Sequence, residues 1–264
     1  MSPGPQPVTT KPASLGARPE GAVGENDASA RIREMFSGIA PRYDLLNHVL
    51  SLSLDRLWRR RVARRFRNVL DRSDALVLDV CCGTGDLTLA LARRSRAAII
   101  GSDFAHPMLV RALDKSRSNG KGSSSGARLV GYIEADALSL PFSDATFDLV
   151  TAAFGFRNLA NYDRGLQEIF RVLRPGGQIG ILEFSEPRGA VFGGLYRFYF
   201  RRILPRIGGA ISGSPWAYSY LPNSVGKFPA PTELGCRMSD AGFAGANHEL
   251  WTGGTVTLHR ATKP

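Results

Sequence analysis

The segment Leu76 to Asp86, LVLDVCCGTGD, constrains the fold of this chain more than any other. Leu76, Val77, Leu78 and Val80 form an apolar, partly β-branched run of the kind that makes a buried parallel strand. The run stops at the small-residue turn Cys81-Cys82-Gly83-Thr84-Gly85, and Asp86-LTLALARR continues as a helix. Strand, tight glycine turn and helix N-terminus in succession build the nucleotide-binding corner of a doubly wound α/β sheet. Gly83 and Gly85 let backbone approach a ligand where a Cβ would collide. Asp79 sits at the carboxyl end of the strand, the side on which open α/β sheets hold their ligands.

The same residues say which ligand the corner does not hold. A dinucleotide fingerprint has a third glycine three residues after the second, and that position here is Thr88. No G-x-x-x-x-G-K-[ST] occurs either, so there is no phosphate-cradling P-loop. The pattern Asp79-x-x-x-Gly83-x-Gly85, with Cys81 in place of a first glycine, suits an adenosine ligand without a pyrophosphate. S-adenosylmethionine is the leading candidate. Another nucleotide, or a purely structural strand–turn–helix, fits these residues as well.

Composition narrows the class. A chain of 264 residues, 43% hydrophobic, makes one large domain or two small ones with a substantial core. No apolar run approaches the roughly 20 residues needed to span a bilayer. The N-terminus lacks a basic segment leading into an apolar core, so no secretory signal is expected, and Glu20, Glu25 and Asp27 argue against an organellar transit peptide. Three cysteines, Cys81, Cys82 and Cys236, offer neither a disulfide framework nor zinc spacing, which points to a reducing compartment and no metal site. The formal charge of +11 fits nucleic acid, an anionic membrane face or simple solubility, and composition does not choose among them.

Residues 1 to about 28, rich in Pro, Gly, Ala and Ser, read as a disordered tail. From Ala30, RIREMFSGIAPRYDLLNHVLS reads as two short helices broken near Ser37-Gly38, with Pro41 in a first turn. A longer helix is expected from about Leu54 to Leu70. Leu54, Trp58, Val62 and Phe66 make its apolar stripe, and Arg56, Arg59, Arg60, Arg64, Arg65 and Arg67 fill the other faces. Such a helix is a solvated cap on the sheet, or a cationic surface for anionic lipid headgroups.

The βα alternation follows. Strand 75–80 and helix 86–94 lead to strand Ala97–Ser102, ending at Asp103, 18 residues beyond Gly85. At that spacing an acid meets ribose hydroxyls, and a carboxylate can accept both hydrogen bonds of a vicinal diol. Asp103 would equally cap a helix over 105–117. Strand Leu129–Glu134 leads to Asp136-Ala137, placed to read an adenine edge. Strand Phe147–Phe154 ends in Gly155-Phe156-Arg157-Asn158, on the reactive side of such a cleft. Neither the N/D-P-P-Y/F run of base-amino methyltransferases nor the Pro-Cys of cytosine-C5 enzymes is present, which counts against nucleic-acid chemistry. Helix 161–173 is closed by the stop signal Arg174-Pro175-Gly176-Gly177, and strand Gln178–Phe184 follows. Residues 190–206 interleave aromatics with arginines, as accessory core or as an apolar substrate wall. Helix 230–241 and strands Gly245–Trp251 and Thr255–Arg260 close the chain.

The segments MFSGIAPRYDLLNHVLS, VLDVCCGTGDLTLALA, EADALSLPFSDATFDLVTAAFGFRN, RVLRPGGQIGILEFSEP and GGTVTLHRATK together resemble the ubiquinone/menaquinone biosynthesis C-methyltransferases, from about Ala30 to Pro264. That resemblance implies a class I S-adenosylmethionine-dependent methyltransferase fold, Rossmann-like, with a seven-stranded, mostly parallel sheet. The methyltransferase domain would span 29–264, with a helical lid at 29–70 and a substrate-side insertion at 190–229. The family's cofactor positions map onto Thr84, Asp103 and the Asp136-Ala137 pair, beside Asp79, Gly83 and Gly85 of the turn. Many members carry Ser where Ala153 stands, so a hydroxyl contact from that position is absent here.

Family substrates are polyprenyl quinols dissolved in the membrane, which gives the basic helix and the aromatic stretch a purpose. Demethylmenaquinol is the expected substrate. A 2-methoxy-6-polyprenyl-1,4-benzoquinol is the alternative, RNA methylation a more distant one, and a non-catalytic S-adenosylmethionine-binding scaffold a third class. A peripheral enzyme at the inner face of the cytoplasmic membrane is implied, with an anionic surface as partner, no nucleic acid, and room for a homo-oligomer. Arg157 is the candidate cation for a developing phenolate, with Asn158 orienting the ring or a water. Tyr43 would cover cofactor or quinol, and His48 is a weaker candidate base.

Overall fold

The computed structural model describes residues 16–44, 51, 53–93, 95–120, 128–185, 187 and 224–264. His48 and the 190–206 stretch lie outside these residues.

Seven strands form one sheet: β1 (Leu76–Val80), β2 (Ala98–Asp103), β3 (Arg128–Glu134), β4 (Phe147–Ala153), β5 (Leu173–Phe184), β6 (Ala244–Trp251) and β7 (Val256–Thr262). Their order is β3-β2-β1-β4-β5-β7-β6; β1 to β5 run parallel, and β7 lies antiparallel to both of its neighbours. Strand order reverses between β1 and β4, and in doubly wound sheets the crevice at that point binds the ligand.

Successive side chains of a strand point to opposite faces. Leu78 and Val80 accordingly join Val150, Tyr162 and Leu166 in one core, while Val77 joins Trp58, Val62, Phe66 and Leu91 in the other. Because both faces are covered, β1 and β4 are largely apolar rather than alternating, with Asp79, Asp148 and Thr151 as the polar exceptions. The helices doing the covering are α1 (Gly24–Ile39), α2 (Leu54–Arg65), α3 (Arg67–Leu70), α4 (Asp86–Ala92), α5 (His106–Gly120), α6 (Tyr162–Val172) and α7 (Pro231–Asp240).

Several expectations are corrected. Ordered structure begins well before residue 28: α1 starts at Gly24, and the Ala17 N–H donates to the Leu159 carbonyl at 2.7 Å. The Asp27 carboxylate accepts the Val23 N–H at 2.8 Å, acids occupy the positive end of the helix, and Ala28, Ile32 and Met35 bury one stripe. That packing carries the helix through Ser37-Gly38 to Ile39, where a 3₁₀ turn, Ala40–Arg42, takes over with Pro41. The helix expected over 54–70 is broken at Phe66, whose ring packs where Gly180 leaves room; a Cβ there would lie 2.5 Å from it. The stop signal after α6 leads straight into β5, and Arg174-Pro175-Gly176-Gly177 takes up a register irregularity against β4.

Candidate active site

The carboxyl ends of β1, β2, β3 and β4 meet α1 and the Ala40–Arg42 turn around a cleft of ≈ 590 Å³. Gly83, Asp103, Asp136, Ala137, Asn158 and Tyr43, all expected at the site, line it. They come from five separate places in the sequence, and the parallel registers of the sheet bring all but Tyr43 together.

Asp103 ends β2 and is almost wholly buried. One carboxylate oxygen accepts the Gly83 N–H and the other the Ala105 N–H, both at 2.9 Å. These bonds fix its orientation while each oxygen keeps a lone pair for another donor. Burial pushes the carboxyl up to about 6, against the pull of the backbone donors. The arrangement suits two hydroxyls of a vicinal diol. Asp136 accepts the Leu138 N–H at 2.9 Å, which locks the short turn presenting Ala137 to the cleft.

Other expected residues do different work. Asp79 is fully buried, and its two oxygens accept the hydroxyls of Thr88 at 2.6 Å and Thr151 at 2.9 Å. It therefore ties β1 to α4 and β4, and burial raises its carboxyl to about 7. Gly85 is not among the cleft residues. It adopts φ +79° ahead of α4, and a Cβ there would lie 2.6 Å from the Tyr132 hydroxyl oxygen and 3.0 Å from the Ala112 Cβ. Its smallness serves helix packing, whereas Gly83 is the glycine that faces the cleft. Thr84 donates to Asp44 at 2.5 Å and accepts from Lys115 at 2.8 Å, and it borders a second, smaller cavity.

Arg157 is the largest departure. Its guanidinium is not part of the cleft wall. Nη1 donates to Glu183 at 2.9 Å and to the Phe154 carbonyl, and the plane lies over the Phe184 ring at 5.5 Å. Its N–H donates to the other Glu183 oxygen at 3.0 Å, and its carbonyl accepts the Tyr162 hydroxyl at 3.1 Å. Backbone and side chain of Arg157 are thus held from two sides, and the 3₁₀ turn Phe156–Asn158 presents Asn158 to the cleft. The ion pair that secures the loop is what the structure contains.

Phe36 and Phe154 join the cleft without a sequence signal of their own, beside Cys81 of the turn. Phe36 of α1 meets Tyr43 edge to face at 6.0 Å, and the two roof the cleft. Cys81 and Phe154, at the ends of the adjacent strands β1 and β4, both have positive φ, +52° and +60°. Non-glycine residues held this way are strained and gather at functional sites. Cys81 packs tightly on Gly155, where any Cβ would overlap it. Burial raises the Cys81 and Cys82 thiols well above their ordinary range, so both are neutral at physiological pH.

The smaller cavity, ≈ 340 Å³, shares Tyr43, Cys81 and Phe154 with the cleft and lies beyond the glycine turn. Arg59 of α2, expected on a solvated face, is only 7% exposed and borders it. Its Nη1 pairs with Asp55 at 2.5 Å and with Asp86 at 3.2 Å.

Comparisons with known proteins agree with this geometry. The model of the ubiE/COQ5 methyltransferase family matches residues 25–263. A demethylmenaquinone methyltransferase of Thermus thermophilus is 48% identical over 231 residues, which cover 87% of this chain and all of that protein. A ubiquinone/menaquinone biosynthesis C-methyltransferase of Geobacter sulfurreducens is 45% identical, with 88% of each chain covered. Among solved structures, the [4+2]-cyclase SpnF matches with a TM-score of 0.65 at 21% identity, over 96% of this chain and 99% of that one. A SAM dependent methyltransferase from Aquifex aeolicus matches with 0.57 at 18% identity, over 84% and 98%. At those identities the structural likeness speaks for the fold alone, which is the seven-stranded, Rossmann-like one the sequence resemblance implied.

Proposed function

The chain belongs to the ubiE/COQ5 methyltransferase family, and from that premise we propose that it transfers the methyl group of S-adenosylmethionine to a ring carbon of demethylmenaquinol. The observation that carries this reading is the cleft in which Asp103, at the end of β2, and Asn158, beyond β4, face one cavity across Gly83 and Cys81. Two relatives at 47–48% identity and one at 41% are named for demethylmenaquinone methylation, which favours the naphthoquinol. Others at 41–45% identity are named for ubiquinone and menaquinone together, which makes the methoxy-polyprenyl-benzoquinol the second reading.

S-adenosylmethionine supplies a methyl already activated on a sulfonium. The protein's task is alignment, with the accepting carbon about 3–3.5 Å from that methyl. Asp103 would accept the ribose hydroxyls, Asp136 and Ala137 would border the adenine, and Gly83 would give the backbone close approach. Phe36 and Tyr43 exclude water from above. A quinol ring carbon becomes nucleophilic as the neighbouring hydroxyl gives up its proton, and Asn158 orients the ring or the water that receives it. Arg157 acts indirectly, because its charge is bound to Glu183 and its contribution is to hold the turn carrying Asn158.

No helix among the described residues is long and apolar enough to cross a membrane. The proposed meeting place with a membrane-dissolved substrate is the inner face of the cytoplasmic membrane. On α2, Arg56, Arg60 and Arg64 recur every fourth residue on the exposed side, next to Leu57, which is 53% exposed. Neighbouring Arg61 is spent over the Trp251 ring and Arg65 on Glu249. This stripe suits anionic headgroups with one leucine inserted.

The test is the purified protein with S-adenosylmethionine and chemically reduced demethylmenaquinone. A quinol heavier by one methyl, detected by mass, is expected. Methylation of the benzoquinol alone would move the assignment to the second reading, and no methylation of either would remove it. Vesicles rich in phosphatidylglycerol should carry the protein down in sedimentation, and added salt should release it.

A further inference from the structure

Resting on the S-adenosylmethionine reading, we infer that a groove beneath α1 is the doorway of the cleft for the cofactor, through which S-adenosylmethionine enters and its demethylated product leaves.

The groove, ≈ 1460 Å³, runs between α1, the end of β3 and α6. It shares Ser29, Phe104, Ala135, Asp136 and Leu138 with the cleft, and the two spaces adjoin there, beside the proposed place of the adenine. The periodicity of α1 explains the opening. Glu25, Ser29 and Arg33 recur every fourth residue and so share one face of the helix. The outer two tie it down. Glu25 pairs with Arg164 of α6 and accepts from Asn161 at 3.1 Å, and Arg33 pairs with Glu134 at the end of β3. Between these ties stands Ser29, whose short side chain lines both spaces. Arg33 and Arg164 are half exposed, and ion pairs so open to water hold weakly. Small side-chain motions therefore open the groove while Ala28, Ile32 and Met35 keep α1 seated.

The charge of the groove fits the traffic. S-adenosylmethionine carries one net positive charge, that of its sulfonium, and the product left after methyl transfer carries none. The groove presents four carboxylates, Glu25, Glu34, Glu134 and Asp136, against two guanidiniums, Arg33 and Arg164, in a chain of formal charge +11. A locally acidic mouth on a basic protein draws in the cationic ligand and has less hold on the neutral product. Its place in the fold fits as well. Ala28 of α1 packs in the core with Leu78 and Val150, whereas Trp58 and Val62 of α2 pack in the core with Val77. The doorway thus opens on the face of the sheet opposite the arginine stripe of α2, and cofactor exchange there leaves that stripe undisturbed.

The inference is tested by exchange rates, without turnover. Tritiated S-adenosylhomocysteine bound to the full chain is chased with unlabelled ligand, and association is followed by rapid mixing. Ala30→Trp puts a large ring on a residue that lines the groove and not the cleft. It should slow association and dissociation together by roughly tenfold. The dissociation constant should stay within about threefold of the native value. Arg33→Met removes one tie and should speed both rates roughly two- to fivefold, as the loss of an exposed pair would. At low ionic strength, Glu34→Lys should slow association of S-adenosylmethionine by about three- to tenfold and leave that of S-adenosylhomocysteine unchanged. Native rates in Ala30→Trp would overturn the doorway, and so would an equal response of the two ligands to Glu34→Lys. A weaker affinity in Ala30→Trp carried by dissociation alone also overturns it, because that marks a contact in the bound state rather than a passage. Failure of the native chain to bind S-adenosylhomocysteine would remove the cofactor reading itself, a distinct outcome.

Discussion

Glu183 binds Arg157 twice, accepting its backbone N–H on one carboxylate oxygen at 3.0 Å and its guanidinium on the other at 2.9 Å. Glu183 is wholly buried at the end of β5, and Arg157 opens onto the turn that carries Asn158. The pair joins the end of β5 to the turn after β4, behind the cleft rather than in its wall. A buried pair of this kind contributes less as attraction than as geometry, because removing either partner strands the other in a place water does not reach.

Arg157→Ala should accordingly destabilise the fold by about 3–5 kcal/mol, the penalty of an uncompensated buried carboxylate. Replacing both residues, Arg157→Met with Glu183→Leu, should lose much less stability. Turnover should remain low in both variants, because Asn158 loses its support. Urea unfolding followed by circular dichroism measures the first effect. A single variant as stable as the native chain would show that the pair does not hold the loop.

Cofactor affinity should fall in mild acid. The Asp103 carboxyl is raised by burial to about 6, and in the proposed binding mode the ribose hydroxyls would donate to its ionised form. Below pH 6 binding must expel a proton, so the dissociation constant for S-adenosylhomocysteine should rise about tenfold per pH unit. Asp103→Asn should bind at least roughly tenfold more weakly at pH 7.5 and lose this pH dependence. Titration calorimetry at pH 5 and 7.5 checks both statements.

Asp79 predicts an opposite kind of variant, one that helps stability. Its folded carboxyl sits at about 7 against an ordinary 3.8, because burial outweighs the two threonine hydroxyls. Between those values the folded protein keeps a proton that the unfolded chain has released, so this group's share of stability is lost as pH rises through 7. Asn cannot ionise, and the threonine hydroxyls can donate or accept. The urea midpoint of Asp79→Asn should gain on that of the native chain from pH 4.5 to about pH 7 and level off above it. Parallel profiles would show that Asp79 titrates in the ordinary range.

The contact between Cys81 and Gly155 gives a test of the cleft floor. Gly155→Ala places a Cβ on top of the Cys81 side chain and should weaken S-adenosylhomocysteine by more than roughly tenfold. Cys81→Gly in the same chain removes the obstructing Cβ and relieves the positive φ at that position, and should restore most of the affinity. No restoration would mean that Gly155 is required for some other reason.

What the sequence disclosed depended on how local the cause was. The strand–turn–helix from Leu76 to Asp86 was legible because burial on both faces leaves an unbroken apolar run, and the turn needs glycines at fixed offsets. Asp103 was legible because it ends a strand of a parallel sheet, and Asn158 because it lies in the turn just beyond one. The partner of Arg157 was not. Glu183 lies 26 residues away, and only the pairing of β4 with β5 sets the two together. The reason for Gly85 sits in Tyr132, which no periodicity connects to it.

Arg59 was read as one more solvated arginine, although Asp55 at i−4 was the signal that could have marked it. The start of α1 was misplaced because small residues in a Pro- and Gly-rich context suggested a tail. The contacts that order it, such as Arg18 to the Ala160 carbonyl at 2.6 Å, come from 142 residues further on.

That separation has a bearing on how the molecule comes into being. The cleft's roof leaves the ribosome before the sheet, yet Glu25 finds Arg164, and Arg18 finds Ala160, only once most of the sheet has been translated. Until then the amphipathic helix 24–39 has no surface to rest on, and its apolar stripe is open to chaperones or to premature association. Newly made protein should therefore acquire its ligand late, after the segment that contributes Asn158 has emerged.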